Sequence, residues 1–205
     1  MGHREDAVIV NTIVRQALAA AEEVMGTNGL NAVLRLSNLD SFVNNLPPDN
    51  LEPAIKATEY AQFNQAIEDF YGRGGRGMLK RIGKASFQYA INEQPALLGV
   101  AGAALKLLPQ KQRIKFILNS MVNALTKSNS QVEAWVEEEG DTLAYIESSC
   151  AICHSRKSDK EICYLYLGSL GEAVEWATGK TYEITETHCM AKGDPHCRFE
   201  VGEAL

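Results

Sequence analysis

The chain has 205 residues, of which 45% are hydrophobic and 22% charged, with a formal net charge of −6. That length holds one domain with a real core, and that balance is the balance of an ordinary globular protein. The acidic sum argues against nucleic acid as a partner, because nucleic-acid binding needs a basic face.

The N-terminus, MGHREDAVIV, lacks a basic region followed by an apolar run, so no signal peptide is read there. Asp6 stands where a myristoylation signal needs Ser or Thr. Hydrophobic periodicity predicts a first helix from about Asp6 to Met25, with Gly26, Asn28 and Gly29 ending it. A short helix follows from Gly29 to Leu36, then an irregular stretch through the Pro47-Pro48-Asp49-Asn50 turn. A third helix is expected over Glu52 to Tyr71, and a fourth over Gly77 to Asn92. The most apolar run, ALLGVAGAALKLL at 96–108, carries Lys106 and is too short to span a bilayer. It reads as a buried helix. Another helix runs from Pro109 through Lys127.

The period then changes to two. In QVEAWVEEEGDTLAYIES, Val132, Ala134 and Val136 alternate with Glu133, Trp135 and Glu137, and Glu139-Gly140-Asp141 reads as a turn. Residues 162–178 read as a helix ending at Gly179, and TYEITETHC with CRFEVG as a second hairpin. The expected fold class is therefore α+β: N-terminal helices packed on a four-stranded antiparallel sheet, built from two hairpins joined by a helix. A single domain over 1–205 is expected, with a helical part at 1–129 and a hairpin/helix/hairpin part at 130–205.

GRGGRG contains Gly72, Gly74 and Gly77 in G-x-G-x-x-G spacing. That pattern cradles a pyrophosphate only when it follows a strand. A helical segment precedes it here, so it reads as a glycine break between helices. The basic residues from Arg73 to Lys84 read as a solvated helix face.

All five cysteines fall in the last 56 residues. Without a leader the protein is expected in the cytoplasm, where thiols stay reduced, and an odd count excludes a complete intrachain disulfide set. Clustered cytosolic cysteines are then metal ligands, redox groups or small buried residues. Cys189 and Cys197 flank a tight turn, Cys163 opens a helix, and Glu186 can offer an oxygen, which together make a Cys₃Glu zinc set. Lys192 and Arg198 are the cations placed to offset its residual charge. In a regular strand, however, residues 186 and 189 point to opposite faces. A rival Cys₄ set uses Cys150, Cys153, Cys189 and Cys197, with Cys163 buried beside them, and His154, His188 and His196 are further candidate ligands. The CxxC could equally be a redox pair, although its setting is not a βαβ unit. No arrangement of Ser, His and Asp points to nucleophilic catalysis.

The run from Cys150 to Val201, with Cys150-x-x-Cys153, Cys163, Gly168, Glu186-x-x-Cys189 and Gly193-Asp194-Pro195-x-Cys197-Arg198-Phe199, resembles the 4-vinyl reductase domain. The resemblance implies a fold shared with subunits of the TRAPP transport complex, a homodimer, and an apolar pocket for a small molecule. The related sensor domains of phenol-responsive transcription activators bind aromatic ligands and hold a structural zinc through a Cys, Glu-x-x-Cys, Cys pattern. Residue by residue, that pattern falls on Cys163, Glu186, Cys189 and Cys197, and leaves the role of Cys150 and Cys153 open.

The expected function is thus binding or sensing of a hydrophobic small molecule, aromatic or tetrapyrrole, with zinc as a structural cofactor. The pocket is expected to draw on Phe63, Phe87, Phe116 and Trp176, with Phe70 and Tyr89 as further aromatics. The family name carries an alternative, an enzyme or accessory factor reducing a vinyl group on a bacteriochlorophyll precursor. No nicotinamide or flavin fingerprint in the chain supports it. A third reading is an assembly subunit with a protein partner.

Overall fold

The computed structural model describes residues 7–93, 105, 107–128 and 132–205. Strand β1 (Val8–Val10) leads into helix α1 (Asn11–Leu36), and β2 (Pro53–Lys56) leads into α2 (Ala57–Tyr71). Helix α3 spans Gly75–Glu93 and α4 spans Gln110–Ser128. Hairpin β3 (Ala134–Glu139) and β4 (Thr142–Glu147), helix α5 (Tyr164–Thr178), and hairpin β5 (Tyr182–His188) and β6 (Cys197–Ala204) complete the chain. The large sheet is four-stranded, antiparallel, in the order β3-β4-β6-β5. The α+β class and the two hairpins joined by a helix are as the periodicity predicts.

Two expected helix starts are corrected. The β-branched run Val8-Ile9-Val10 and the segment after Pro53 pair as a small antiparallel ribbon, so α1 begins at Asn11 rather than Asp6 and α2 at Ala57 rather than Glu52. Branched side chains favour extended backbone, and Pro53 sits at the first strand position, where its missing N–H costs no ladder bond. The Glu59 carboxylate then caps α2 by accepting the Lys56 N–H at 2.8 Å. The expected break after Met25 is a kink: Gly26 takes φ 75°, ψ 162° inside α1. The apolar run 96–108 lies largely outside the described residues.

GRGGRG forms a 3-10 turn over Gly72–Gly74 and enters α3 directly, so it joins two helices. Its basic neighbours are engaged locally. Arg76 lies over the Tyr164 ring at 5.4 Å, and Lys84 pairs with Glu172 at 2.8 Å.

One face of the sheet carries Leu143, Tyr145 and Glu147 from β4 opposite Val201, Phe199 and Cys197 from β6. Leu143, Tyr145, Phe199 and Val201 join a core that also takes in Val14, Leu18, Phe63, Ile67, Leu79 and Ile82 from the helices. On the other face the Arg198 guanidinium, 7% exposed, donates to Glu137, Glu139 and Glu200. Ala17, Ala20 and Ala21 are buried in the core, so the Ala-rich run of α1 packs internally. Among the described residues, no helix is long and apolar enough to cross a membrane.

Candidate functional site

Two features stand out, a thiol cluster and an apolar cavity, and they adjoin. The cluster forms where the loop after β4, the start of α5 and the β5–β6 turn meet. Cys150, Cys153, Cys163, Cys189 and Cys197 are all free and buried. Cys163 Sγ lies 3.7 Å from Cys150 Sγ and 3.9 Å from both Cys189 Sγ and Cys197 Sγ, and Cys153 Sγ lies 3.4 Å from Cys197 Sγ. Two sets of four ligand atoms each fall within 4.8 Å of one another: Cys163, Glu186, Cys189 and Cys197, and Cys150, Cys153, Cys163 and Cys197. The structure thus brings together all six residues singled out from the sequence. The rival set differs from the expected one: Cys163 takes the place of Cys189.

A bulge resolves the strand-geometry conflict. Glu186 pairs with Phe199 and His188 with Arg198, so one extra residue, Thr187, is inserted on β5. The insertion shifts the alternation by one and brings residues 186 and 189 to the same face. Glu186 Oε2 accepts the Cys163 N–H at 2.9 Å, whereas Oε1 is buried without a partner. Burial, and then the charge on Cys189, push the Glu186 carboxyl up to about 9. Of the cations expected to balance the cluster, Lys192 pairs with Glu161 at 2.5 Å and also interacts with the charge on Cys189, whereas Arg198 serves the opposite sheet face. Asp194 closes the turn by accepting the Cys189 N–H at 2.8 Å. His188 and His196 stack on each other at 5.7 Å instead of joining the sulfurs.

The cavity, about 190 Å³, lies between α1, α3, α4, α5 and β4. Its walls are mostly apolar, with Ile9, Ile13, Ala17, Phe87, Met121, Ala124, Leu125, Ile152 and Leu165 among them. Polar groups also face it: Gln16, Ser86, Tyr145, Glu147 and Tyr166. Three of their atoms are buried without a partner, Gln16 Nε2, Ser86 Oγ and Glu147 Oε2. Burial pushes the Glu147 carboxyl up to about 7, against the lowering effect of the Tyr166 hydroxyl. Burial and the Glu147 charge hold Tyr145 and Tyr166 well above the usual phenol range.

Of the expected pocket aromatics, Phe87 lines the cavity. Trp176 packs edge-on behind Phe87 at 6.4 Å, Phe63 is core, and Phe116 packs in a satellite cluster with Ile117. The polar residues of the cavity escaped the sequence reading. One signal was there: in TLAYIE, Glu147 falls on the alternating face of Leu143 and Tyr145, an acid in a core register position.

Solved structures similar to this one include an oxygen-binding H-NOX domain related to soluble guanylate cyclases (TM-score 0.62, 12% identity, covering 94% of this chain and 93% of that one). Another is the unliganded Fe(II) H-NOX protein of K. algicida (TM-score 0.59, 16% identity, 96% and 97% covered). At such identities the likeness is one of fold alone. An uncharacterized protein of Methanocaldococcus jannaschii is 33% identical over 94 residues, 45% of this chain and 41% of that protein. The phenol regulator MopR of Acinetobacter guillouiae is 29% identical over 97 residues, 47% of this chain and 17% of MopR. The chain therefore spans less than half the length of these relatives. Residues 145–203, which contain all five cysteines, match the profile of the V4R domain. Residues 145–203 are thus similar to the V4R domain, and the helices-on-sheet fold around them is one that solved H-NOX domains share.

Proposed function

We propose that the protein binds a single-ring, hydrogen-bonding apolar molecule in the cavity, as a sensing or carrier domain, and that a structural zinc at Cys163, Glu186, Cys189 and Cys197 holds the adjoining wall. The observation that carries the ligand reading is the pairing of apolar walls with three unpartnered buried polar atoms. A buried polar atom left unsatisfied costs on the order of 1–3 kcal/mol, and a ligand hydroxyl that donates to Glu147 Oε2 or accepts from Gln16 Nε2 recovers that cost. Size agrees. A cavity of about 150 Å³ takes up benzene, and this one measures about 190 Å³. A phenol meets both demands, and MopR, a 97-residue segment of which aligns with this chain, is named a phenol regulator.

A tetrapyrrole, with four such rings, exceeds that volume several-fold, and no histidine is among the described residues lining the cavity. The vinyl-reduction and tetrapyrrole readings therefore gain nothing from this cavity. The zinc reading rests on donor chemistry. Zn–S bonds of about 2.3 Å in a tetrahedron place sulfurs roughly 3.8 Å apart. Cys163 stands 3.9 Å from Cys189 and from Cys197, and Glu186 Oε1 lacks any other partner. Four protein ligands leave no open position for water, so the ion's task is structural. We treat the chain as one domain, with a helical part at 1–129 and a zinc-bearing part at 130–205. The homodimer and the TRAPP-like kinship, implied by the resemblance, belong to the same reading.

The test is calorimetric titration of the zinc-replete protein with phenol, beside Ala124→Phe, which fills the cavity from α4. Saturable binding by the wild type and its loss in the variant are expected. Equal heats from both proteins, or none from either, would remove the ligand reading.

A further inference from the structure

We infer that the thiol cluster is a binuclear site, in which Cys163 and Cys197 bridge two zinc ions, Cys150 and Cys153 complete one tetrahedron, and Glu186 and Cys189 complete the other. The inference rests on the zinc reading above and goes beyond it by a second ion and by a role for the CxxC pair.

The two four-atom sets share two sulfurs, those of Cys163 and Cys197. Two shared and four unshared donors supply eight bonds, which is two complete tetrahedra with nothing left over. A thiolate sulfur bound through one lone pair keeps others, so it can hold a second ion; a carboxylate oxygen bridges two thiophilic ions less well. Glu186, the one oxygen donor, stands at a terminal position in this arrangement. The shared sulfurs lie 3.9 Å apart, and the terminal sulfurs of the CxxC stand within 3.7 Å and 3.4 Å of them. Those spacings suit sulfurs gathered on common ions. They leave no room for a cluster built around its own inorganic sulfides.

Charge accommodates the second ion. Five thiolates and one carboxylate sum to −6. One zinc leaves −4 and two leave −2, the same residue that a lone Cys₃Glu zinc carries when the CxxC thiols keep their protons. The five sulfurs are at most 2% exposed, so solvent offsets little of it. Among the described residues the neighbouring cations are shared with other acids: Lys192 with Glu161, Arg156 through Nη2 with Glu68, and Arg198 with three acids on the far face. The Met190 N–H reaches Cys197 Sγ at 3.4 Å and the Cys163 N–H serves Glu186. A second cation with its own pair of sulfurs lowers the charge of the fully ionised site from −4 to −2 without any further side chain.

The experiment is zinc stoichiometry of the full chain, purified with reductant and excess zinc followed by desalting, measured by elemental mass spectrometry and by native mass spectrometry. Two zinc ions per chain are expected, falling to one in the double variant Cys150→Ser/Cys153→Ser and to one in Cys189→Ser. X-ray absorption on the wild type covers the case where variants fail to fold. Two bridged ions give metal–metal scattering and seven sulfur bonds for each oxygen bond over the two sets, where a single Cys₃Glu ion gives three to one and no such scattering. One zinc that survives loss of the CxxC but not loss of Cys189 overturns the second ion and leaves the single-zinc reading standing. One zinc that survives loss of Cys189 but not of the CxxC overturns both, in favour of the Cys₄ set. No zinc, or iron with acid-labile sulfide, also overturns both.

Discussion

Gly83 of α3 and Gly168 of α5 face one another's helices at the point where the two cross. A Cβ on Gly83 would strike the Leu165 carbonyl, and one on Gly168 would strike the Lys80 carbonyl. The contact is reciprocal and made by backbone, so neither side can yield by turning a rotamer. Helix α5 begins one residue after Cys163 and carries Leu165, Tyr166 and Ser169 into the cavity wall. The crossing therefore sets the position of both sites.

Gly168→Ala should destabilise the fold by at least the 1–3 kcal/mol typical of overpacking, about 2–12 °C in melting temperature at this chain length. Ala is the better helix former, so propensity alone predicts the opposite sign. A thermal melt of Gly168→Ala at or above the wild-type midpoint would show that the helices do not meet this closely.

Loss of Cys189 should act through the metal. Cys189→Ser is expected to lower zinc content and to cost on the order of 4 kcal/mol, the range associated with a lost metal or buried network. Addition of a chelator to the wild type should shift it at least that far, and should shift the variant by less, because the variant has less zinc to lose. Equal chelator responses in the two proteins would place the ion elsewhere.

The cavity's unpaired donors should trade stability against binding. Gln16→Met replaces a buried Nε2 that has no partner with a side chain of similar length. It is expected to raise the stability of the ligand-free protein by about 1 kcal/mol and to weaken phenol binding severalfold. Higher stability with unchanged affinity would mean that Gln16 does not meet the ligand.

Glu138 provides a pH test away from both sites. Hydrogen bonds from Lys115 and Lys111 hold its carboxyl down at about 2. A group depressed in the fold contributes stability that is fully present above its unfolded value, near 4.5, and is lost as pH falls through about 2. With chelator present in both samples, the melting temperatures of wild type and Glu138→Gln should differ at pH 5 and converge toward pH 2. A constant gap across that range would show that the lysines do not set its ionisation.

What the sequence disclosed and withheld follows from the range of the interactions involved. Period and punctuation made the hairpins, α5 and the break before α3 legible, because each is a local pattern. The ribbon of Val8–Val10 with Pro53–Lys56 was not, because pairing across more than forty residues overrides a helical reading of either segment. The six donors of the cluster were all visible, yet their grouping was not: it depends on a one-residue bulge at Thr187, which no periodicity announces. Glu147 holds a core register position on β4, but the cavity it faces is built by helices remote in sequence.

Ala151 and Ile152 lie between the two cysteines of the CxxC, and both face the cavity. The segment that lends two sulfurs to the cluster is thus the same piece of chain that forms part of the cavity's floor. An ion that fixes those sulfurs fixes the floor, and a guest that presses on the floor loads the sulfurs. By thermodynamic reciprocity, whatever factor the ion adds to affinity for the guest, the guest adds to affinity for the ion.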